Sequence, residues 1–331
     1  MEVITLQSGS NGNCVYVEAD GVRLLFDAGI SGVQAEKRLA AHGRDIRDVD
    51  ALIISHDHSD HTRCMGVYQR KFGLPIHVTA ETLRATASKR GLGRIDEVHH
   101  FRSGSTLVFG NVRVETLCTP HDASDSVAFV VDDGHHRFGI LTDIGHVDCD
   151  LEQVVGTLDA VILESNYDPA MLHEGPYPEP LKNRIRGPLG HLSNEECADL
   201  LKRKASSRLK WASLGHLSQH NNRPELVMRA HRQLLDHDLE LHDLKLHDLK
   251  LHVADRFTAG PLRRVGAPGV GVPGVAAGPR DATAKNCRRD HNPGHRSVGS
   301  RLREPEEASD LDRQPCLVSA SRVPRQGLLF G

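Results

Sequence analysis

The chain has 331 residues, enough for one large or two ordinary domains and so for an enzyme with a sizeable core. Lysine plus arginine (41) nearly balance aspartate plus glutamate (44), leaving a net charge of −3. That excludes a global field aimed at nucleic acid or membrane, and any basic surface must be local. In chain order, strands are expected first at Val3 to Leu6, Cys14 to Glu18 and Arg23 to Phe26, the last two joined through the Ala19-Asp20-Gly21 turn. Helical spacing takes over from Gln34 to Ala41. Asp50 to Ile54 is a short apolar run ending at Ser55-His56, a buried strand that delivers its end to a histidine-bearing loop. Further strands are expected at Ile76 to Val78, Val112 to Leu117, Val127 to Val131, Phe138 to Thr142, Ala160 to Glu164 and Leu209 to Leu214. Helices are expected around Ala80 to Ser88, Asn194 to Lys204 and Pro224 to Leu235. Strands and helices thus mix throughout one α/β domain.

From His237 to residue 252 a five-residue unit repeats as HDLEL, HDLKL, HDLKL and HV. An odd period reverses the strand face at each copy and matches no helix face, so it builds neither element cleanly. Tandem expansion of one segment explains it; a histidine-rich metal tract is the alternative. Past Arg264 the chain turns Gly/Pro/Val-rich and then loses periodic apolar content. Such a stretch cannot bury enough surface to offset its ordering entropy. The expectation is a folded domain over 1–264 and a low-complexity, disordered tail over 265–331. The seven cysteines (Cys14, Cys64, Cys118, Cys149, Cys197, Cys287, Cys316) are odd in number and never at C-x-x-C spacing. That argues against a disulfide framework or cysteine zinc knuckle and for a reducing cytoplasm. No basic-then-apolar leader opens the chain and nowhere do about 18 apolar residues run together, so no membrane partner is expected.

Histidine, at 22 copies with several beside aspartate, is the unusual component. Its centre is His56-Asp57-His58-Ser59-Asp60-His61, an H-x-H-x-D-H motif after an apolar strand. Alternate residues of an extended loop point the same way, so His56 and His58 grip one ion while Asp60 and His61 turn toward a second. One loop supplies too few ligands. His121 after strand 112–117 is a third ligand for the first ion, Asp143 after strand 138–142 bridges both, and His216 after strand 209–214 completes the second. Two ions about 3.5–4 Å apart share a water, lower its pKa from about 15.7 toward about 7, and neutralise charge at an attacked phosphoryl or acyl centre. No serine nucleophile motif competes with this chemistry. Mixed imidazole and carboxylate ligands suit two divalent ions, zinc or manganese, and also iron.

H-x-H-x-D-H with the later His, Asp and His resembles the metallo-β-lactamase superfamily. Ser8-Gly9-Ser10-Asn11-Gly12-Asn13, Thr119-Pro120-His121-Asp122-Ala123, Leu163-Glu164-Ser165-Asn166-Tyr167-Asp168, the 175–185 segment, Gly190-His191-Leu192-Ser193-Asn194 and the 216–222 segment narrow the resemblance to its YycJ/WalJ group. The likeness runs from residue 1 to about 265. It implies a four-layer αββα sandwich, one metal on His56, His58 and His121, the other on Asp60, His61 and His216, and Asp143 on both. It also implies His191 as a non-ligand histidine near the scissile bond, with either His191 or Asp60 assisting the departing oxygen. Glu164 either orients His191 or is an exposed strand-end residue. The group is related to tRNase Z-type nucleases and associated with 5′-to-3′ exonuclease activity on DNA. The implied enzyme is a metal-dependent phosphodiesterase acting in line on phosphorus, with DNA preferred over RNA as partner. Small thioester or lactone hydrolysis and a non-catalytic regulatory metal-binding role are the alternatives.

For substrate contact, Ser10, Asn11 and Asn13 flank Gly9 and Gly12 in a loop whose N–H groups suit a phosphate, or which is simply a turn. Lys182, Arg184 and Arg186 supply three cations before His191, either for phosphate or as a solvated helix face. Where relatives carry an aromatic after the Asp143 turn this chain has His146, which is not assigned as a ligand. The repeat sits where the domain should finish, leaving its last strand displaced or ambiguous in register.

Overall fold

The computed structural model describes residues 1–89, 91–236 and 248–266. Residues 237–247 of the expected repeat, and the expected tail from 267 onward, lie outside the described residues. The chain opens as a meander of β1 (Glu2–Gln7), β2 (Cys14–Ala19) and β3 (Val22–Phe26). Only Asp20 and Gly21 connect β2 to β3, and their φ of 47° and 80° supply the left-handed pair a type I′ turn needs. Then come α1 (Gly32–Ala40), β4 (Ala51–Ile53), α2 (Ser59–Thr62), α3 (Met65–Phe72), β5 (Ile76–Thr79), α4 (Ala80–Lys89) and β6 (Val98–Phe101).

The second half starts with β7 (Thr106–Phe109), β8 (Val112–Cys118), β9 (Val127–Asp132) and β10 (Arg137–Leu141). It continues with α5 (Cys149–Val155), β11 (Ala160–Glu164), α6 (Pro169–Glu174), α7 (Glu179–Ile185), α8 (Asn194–Lys204), β12 (Trp211–Gly215), α9 (Pro224–Asp236), β13 (Lys250–Val253) and β14 (Arg263–Arg264). Two sheets result, ordered β14-β1-β2-β3-β4-β5-β6 and β13-β12-β11-β10-β9-β8-β7. Each is antiparallel in one half and parallel in the other.

Period-two alternation builds the layers. Val15, Val17, Leu24 and Phe26 face the second sheet and meet Val114, Phe129, Phe138, Ile162 and Trp211. The intervening Tyr16 and Leu25 face Ala35, Leu39, Met65 and Tyr68 of α1 and α3. On the far side Val161, Leu163, Ala212 and Leu214 pack against Leu151, Val155, Leu200, Leu201 and Val227 of α5, α8 and α9. The order helix, sheet, sheet, helix is the four-layer sandwich expected. Phe26 and Phe129 meet across the sheets at 5.0 Å, a pair worth about 0.5–1.5 kcal/mol beyond its buried area. The buried Trp211 packs on Phe138 at 5.6 Å and donates its indole N–H to the Arg264 carbonyl at 2.9 Å. Val265, the first residue of the expected tail, is itself buried in the inter-sheet core.

Several elements differ from the sequence reading. The end of the repeat does form a strand, since Lys250 to Val253, the β13 residues, pair parallel with β12 from Trp211↔Lys250 to Leu214↔Val253. An edge strand needs only one ladder partner, so the face-reversing period does not prevent it. β6 and β7 were not expected because they are short and partly polar, with Val108 exposed. α3 has buried Met65, Tyr68 and Phe72 at helical spacing, masked in the sequence by Gly66 and Val67. Among the described residues no helix is long and apolar enough to cross a membrane.

Candidate metal centre

Strand ends carry the site. β3 runs into Asp27, β4 into Ser55 and His56, β8 toward His121, β10 toward Asp143, β11 ends on Glu164 and β12 runs into His216. Open α/β sheets collect ligands at such carboxyl ends. Among the described non-glycine residues, Asp27, Asp143 and His216 are three of five with positive φ, at 63°, 62° and 54°. Strained backbone of this kind persists where the surroundings over-determine it.

The motif loop is clamped on both sides. Asn13 N–H donates to the Asp60 carbonyl (2.8 Å), Ala28 N–H to the His61 carbonyl (2.7 Å) and Gly29 N–H to the Asn13 carbonyl (2.9 Å). Gly29 lies so close beneath that an added Cβ would sit 1.6 Å from the Asp60 carbonyl oxygen. Gly29→Ala must therefore push the loop away, an overpacking cost of about 1–3 kcal/mol. The melting temperature is expected to fall by about 2–12 °C, with weaker metal binding by calorimetry. An unchanged melting curve and affinity would show that the contact is dispensable.

Four imidazoles are anchored through Nδ1. His61 Nδ1 lies 2.7 Å from Asp27 Oδ2, His56 Nδ1 3.0 Å from Ser55 Oγ, His121 Nδ1 3.0 Å from the Gly190 carbonyl and His216 Nδ1 2.7 Å from Glu164 Oε1. A ring that donates from one nitrogen presents the lone pair of the other, as metal ligands do. His58 instead brings Nδ1 to 3.2 Å from His121 Nε2. Two ligands on one tetrahedral ion, each bonded at about 2.0–2.1 Å, lie about 3.3 Å apart. Asp143 Oδ1 is 3.9 Å from His56 Nε2 and 3.6 Å from His121 Nε2, and its Oδ2 is 3.3 Å from His61 Nε2. Asp60 Oδ2 is 3.4 Å from His216 Nε2 and 3.5 Å from His61 Nε2. The side chains gather in overlapping sets: His56, His58 and His121; Asp60, His61 and His216; His56, His61 and Asp143; and Asp143, Glu164, His191 and His216.

These residues fit a divalent cation. His56 Nε2 and Asp143 Oδ2 are buried with no hydrogen-bond partner, a state costing about 1–3 kcal/mol for each group. The local field is also negative. Burial opposes a charge on His61, but the carboxylates of Asp143, Asp27 and Asp60 outweigh it and raise its pKa well above the usual value. His216 is raised to about 10, burial again being overcome by Asp143, Asp60 and Glu164. His56 moves the other way, pushed well down by burial and by the neighbouring His61, His121 and His58 rings.

Glu164 is 0% exposed, which removes the solvent-facing alternative for it. Its Oε1 accepts from His191 Nδ1 (2.9 Å), His216 Nδ1 (2.7 Å) and the Asp143 N–H (3.2 Å). Oε2 accepts from the Ile144 and Leu192 N–H groups at 2.9 and 3.1 Å. Burial disfavours its charge, yet His191 and His216 hold the carboxyl well below its usual range. Glu164 therefore holds two imidazoles and three backbone amides. His191, 21% exposed on its side chain, lines the cleft beside the donors.

The other expected contacts divide. Ser10 and Arg184 line the cleft. Asn13 is buried, with Oδ1 accepting the Gly9 N–H at 2.8 Å and Nδ2 near Asp60 Oδ2 and His61 Nε2. Its polar atoms are thus engaged in bracing the motif loop. The Gly12 N–H is likewise used inside its loop, on the Gly9 carbonyl at 2.9 Å. Asn11 turns Nδ2 to the Arg256 carbonyl at 3.1 Å. Lys182 is 6% exposed, its ammonium 2.7 Å from the His173 carbonyl, and Arg186 pairs with Asn183 and Glu179, so neither joins Arg184 on the cleft wall. His146 is exposed, bonds the Pro188 carbonyl and stays outside the donor sets.

Sequence reading missed Asp27, Ser55 and Asp122. Asp27 takes the Ser55 N–H at 2.9 Å as well as the His61 ring. It follows a buried strand just as Asp143 does, the signal that would have found it. Asp122 has no such signal; its Oδ1 lies 3.5 Å from His58 Nε2 while Oδ2 accepts from Arg184 Nε.

A family model described as the beta-lactamase superfamily domain matches residues 22–210. The exodeoxyribonuclease WalJ of Streptococcus pneumoniae is 39% identical over 239 residues, 71% of this chain and 88% of that one. The exodeoxyribonuclease YycJ of Bacillus anthracis is 34% identical over 231 residues, 70% of this chain and 88% of that one. The crystal structure of zinc-bound PqqB from Methylobacterium extorquens superposes with a TM-score of 0.59 at 16% identity, covering 79% of this chain and 100% of that one. Sequence and fold agree, and the chain belongs to the metallo-β-lactamase superfamily, in the group that contains WalJ and YycJ.

Proposed function

We propose that this protein is a metal-dependent phosphodiesterase that degrades DNA from its 5′ end, the activity class its exodeoxyribonuclease relatives are named for. The observation that carries the reading is His191, an imidazole held by a buried carboxylate among the clustered histidine and carboxylate donors that line the cleft. His56, His58 and His121 would hold one divalent ion, Asp60, His61 and His216 a second, and Asp143 both. Zinc and manganese suit this donor set. Such ions, when bound, supply an activated water and neutralise the charge that develops at phosphorus.

The chain's own residues do the rest. Glu164 accepts from His191 Nδ1, which leaves Nε2 as the ring atom facing the cleft. From there a proton reaches the departing oxygen of the cleaved bond. Arg184 and the Ser10 hydroxyl, on the cleft lining, meet phosphate oxygens. A cytoplasmic setting belongs to the same proposal, the scattered spacing of the cysteines suiting a reducing compartment.

The test uses purified full chain with 5′-phosphorylated duplex DNA, single-stranded RNA and a thioester panel, each with manganese or zinc. DNA should be shortened from the 5′ end. His191→Ala should lower kcat by about 10²–10⁴-fold with metal content unchanged. Thioester turnover without phosphodiester cleavage would overturn the proposal.

A further inference from the structure

One wall of the cleft is explained neither by folding nor by metal binding. α7 carries Leu181, Arg184 and Ile185 at i, i+3 and i+4, a single helix face, and all three line the cleft. Leu181 and Ile185 are only partly buried, and neither belongs to any of the three hydrophobic cores. An apolar stripe on a short helix is ordinarily what packs it to the domain. Here Lys182, with its buried ammonium on the His173 carbonyl, does part of that anchoring from another position on the helix.

Tyr177 lines the same wall from the segment between α6 and α7. Its neighbours Pro176 and Pro178 restrict the backbone, Pro178 having φ −65°. The His220 ring packs against it edge-on, with centroids 5.7 Å apart at 66°. The phenol is thus held in place before any ligand arrives, which reduces the entropy lost on binding. The same cleft, whose volume is about 220 Å³, is also lined by Asp60, Asp143, His58 and His191. One cleft thus combines an aromatic ring and aliphatic side chains with cation-binding and proton-donating groups, the chemistry that the two halves of a nucleotide require.

We propose that Tyr177, Leu181 and Ile185 form a subsite for the base of the terminal nucleotide. The base lies on the Tyr177 ring, the two aliphatic side chains flank it, and its phosphate faces the donor cluster and Arg184. The inference rests on the nuclease reading and adds to it the part of the substrate that the metal donors do not touch. Stacking on an aromatic face serves every base alike, so the subsite holds any terminal nucleotide without reading sequence. The end base must leave its neighbour's stack to enter, so a single-stranded or frayed end is the form that fits.

The experiment compares the full chain with Tyr177→Ala and Tyr177→Phe on two single-stranded oligonucleotides. One ends in a 5′-phosphorylated thymidine and the other in a 5′-phosphorylated abasic tetrahydrofuran residue. Kinetics are measured with manganese, and binding by fluorescence anisotropy without divalent ion. The unsubstituted protein should bind and cleave the abasic end about tenfold less well, mainly through KM. Tyr177→Ala should lose about the same factor on the intact strand and none on the abasic one, while Tyr177→Phe restores the difference. Equal handling of the two ends by the unsubstituted protein, or an equal loss by Tyr177→Ala on both, overturns the subsite. Cleavage of neither strand, with 5′-phosphorylated duplex DNA also left intact, would sink the nuclease reading instead, and the anisotropy comparison would still decide the subsite.

Discussion

Replacing Asp143 with Asn is expected to abolish phosphodiester cleavage and leave the protein folded. The choice of Asn follows from the backbone: Asp143 has φ 62°, a left-handed conformation that Asn tolerates. Ala there adds strain of about 1–2 kcal/mol, so a loss with Asp143→Ala alone would mix folding with chemistry. The carboxylate oxygens lie between His56, His121 and His61, and one of them is an orphan acceptor. An amide removes the negative charge and turns a donor N–H₂ toward the centre. Charge neutralisation by metal is worth several kcal/mol in the transition state, so the rate should fall about 10³-fold or more. Metal content by atomic emission should drop as well, with a circular-dichroism spectrum like that of the unsubstituted protein. Full activity with unchanged metal content would refute the bridging role.

The second large effect is at Glu164, where folding and function are coupled. Glu164→Ala leaves the N–H groups of Asp143, Ile144 and Leu192 buried without an acceptor and frees two imidazoles. Removing one member of a buried charged network costs about 3–5 kcal/mol. The melting temperature should then fall by about 6–20 °C. Glu164→Gln keeps the volume and one acceptor oxygen but turns an N–H₂ toward groups that already donate. It should fold, and lose about 10–100-fold in activity or metal affinity because His216 and His191 are no longer held. If Glu164→Gln matched the unsubstituted protein in both respects, the carboxylate would be filling space only.

The donors were legible because each follows a buried strand, and a short apolar run that stops at His or Asp is visible in a single sequence. Their supports were less so. Asp27 obeys the same rule but has no neighbouring histidine to draw attention to it. Ser55 and Asp122 act through contacts made only once distant segments meet. The Lys182-Asn183-Arg184-Ile185-Arg186 run read either as three cations for phosphate or as a solvated helix face, and a helix turns each side chain through about 100°. Only Arg184 faces the cleft, and the apolar Leu181 and Ile185 share its side. Asn13 read as a substrate contact because Gly/Ser/Asn loops do bind phosphate, but the N-terminal loop spends the Gly9 and Gly12 amides on itself and the Asn13 amide on the Asp60 carbonyl. For β13, the repeat's odd period was weighed in isolation, whereas pairing with β12 decides the outcome.

Trp211 is the chain's only tryptophan, and it sits between the sheets with its indole N–H on the Arg264 carbonyl. Intrinsic emission from this protein is therefore a single-site optical gauge. It reports the seam between the two sheets and the docking of the last described strand, on the opposite end of β12 from His216. A perturbation that empties or rearranges the metal donors while the sheets stay closed will be nearly silent in that channel, and a separation of the sheets will be bright in it. Loss of chemistry and loss of architecture can thus be told apart in one cuvette.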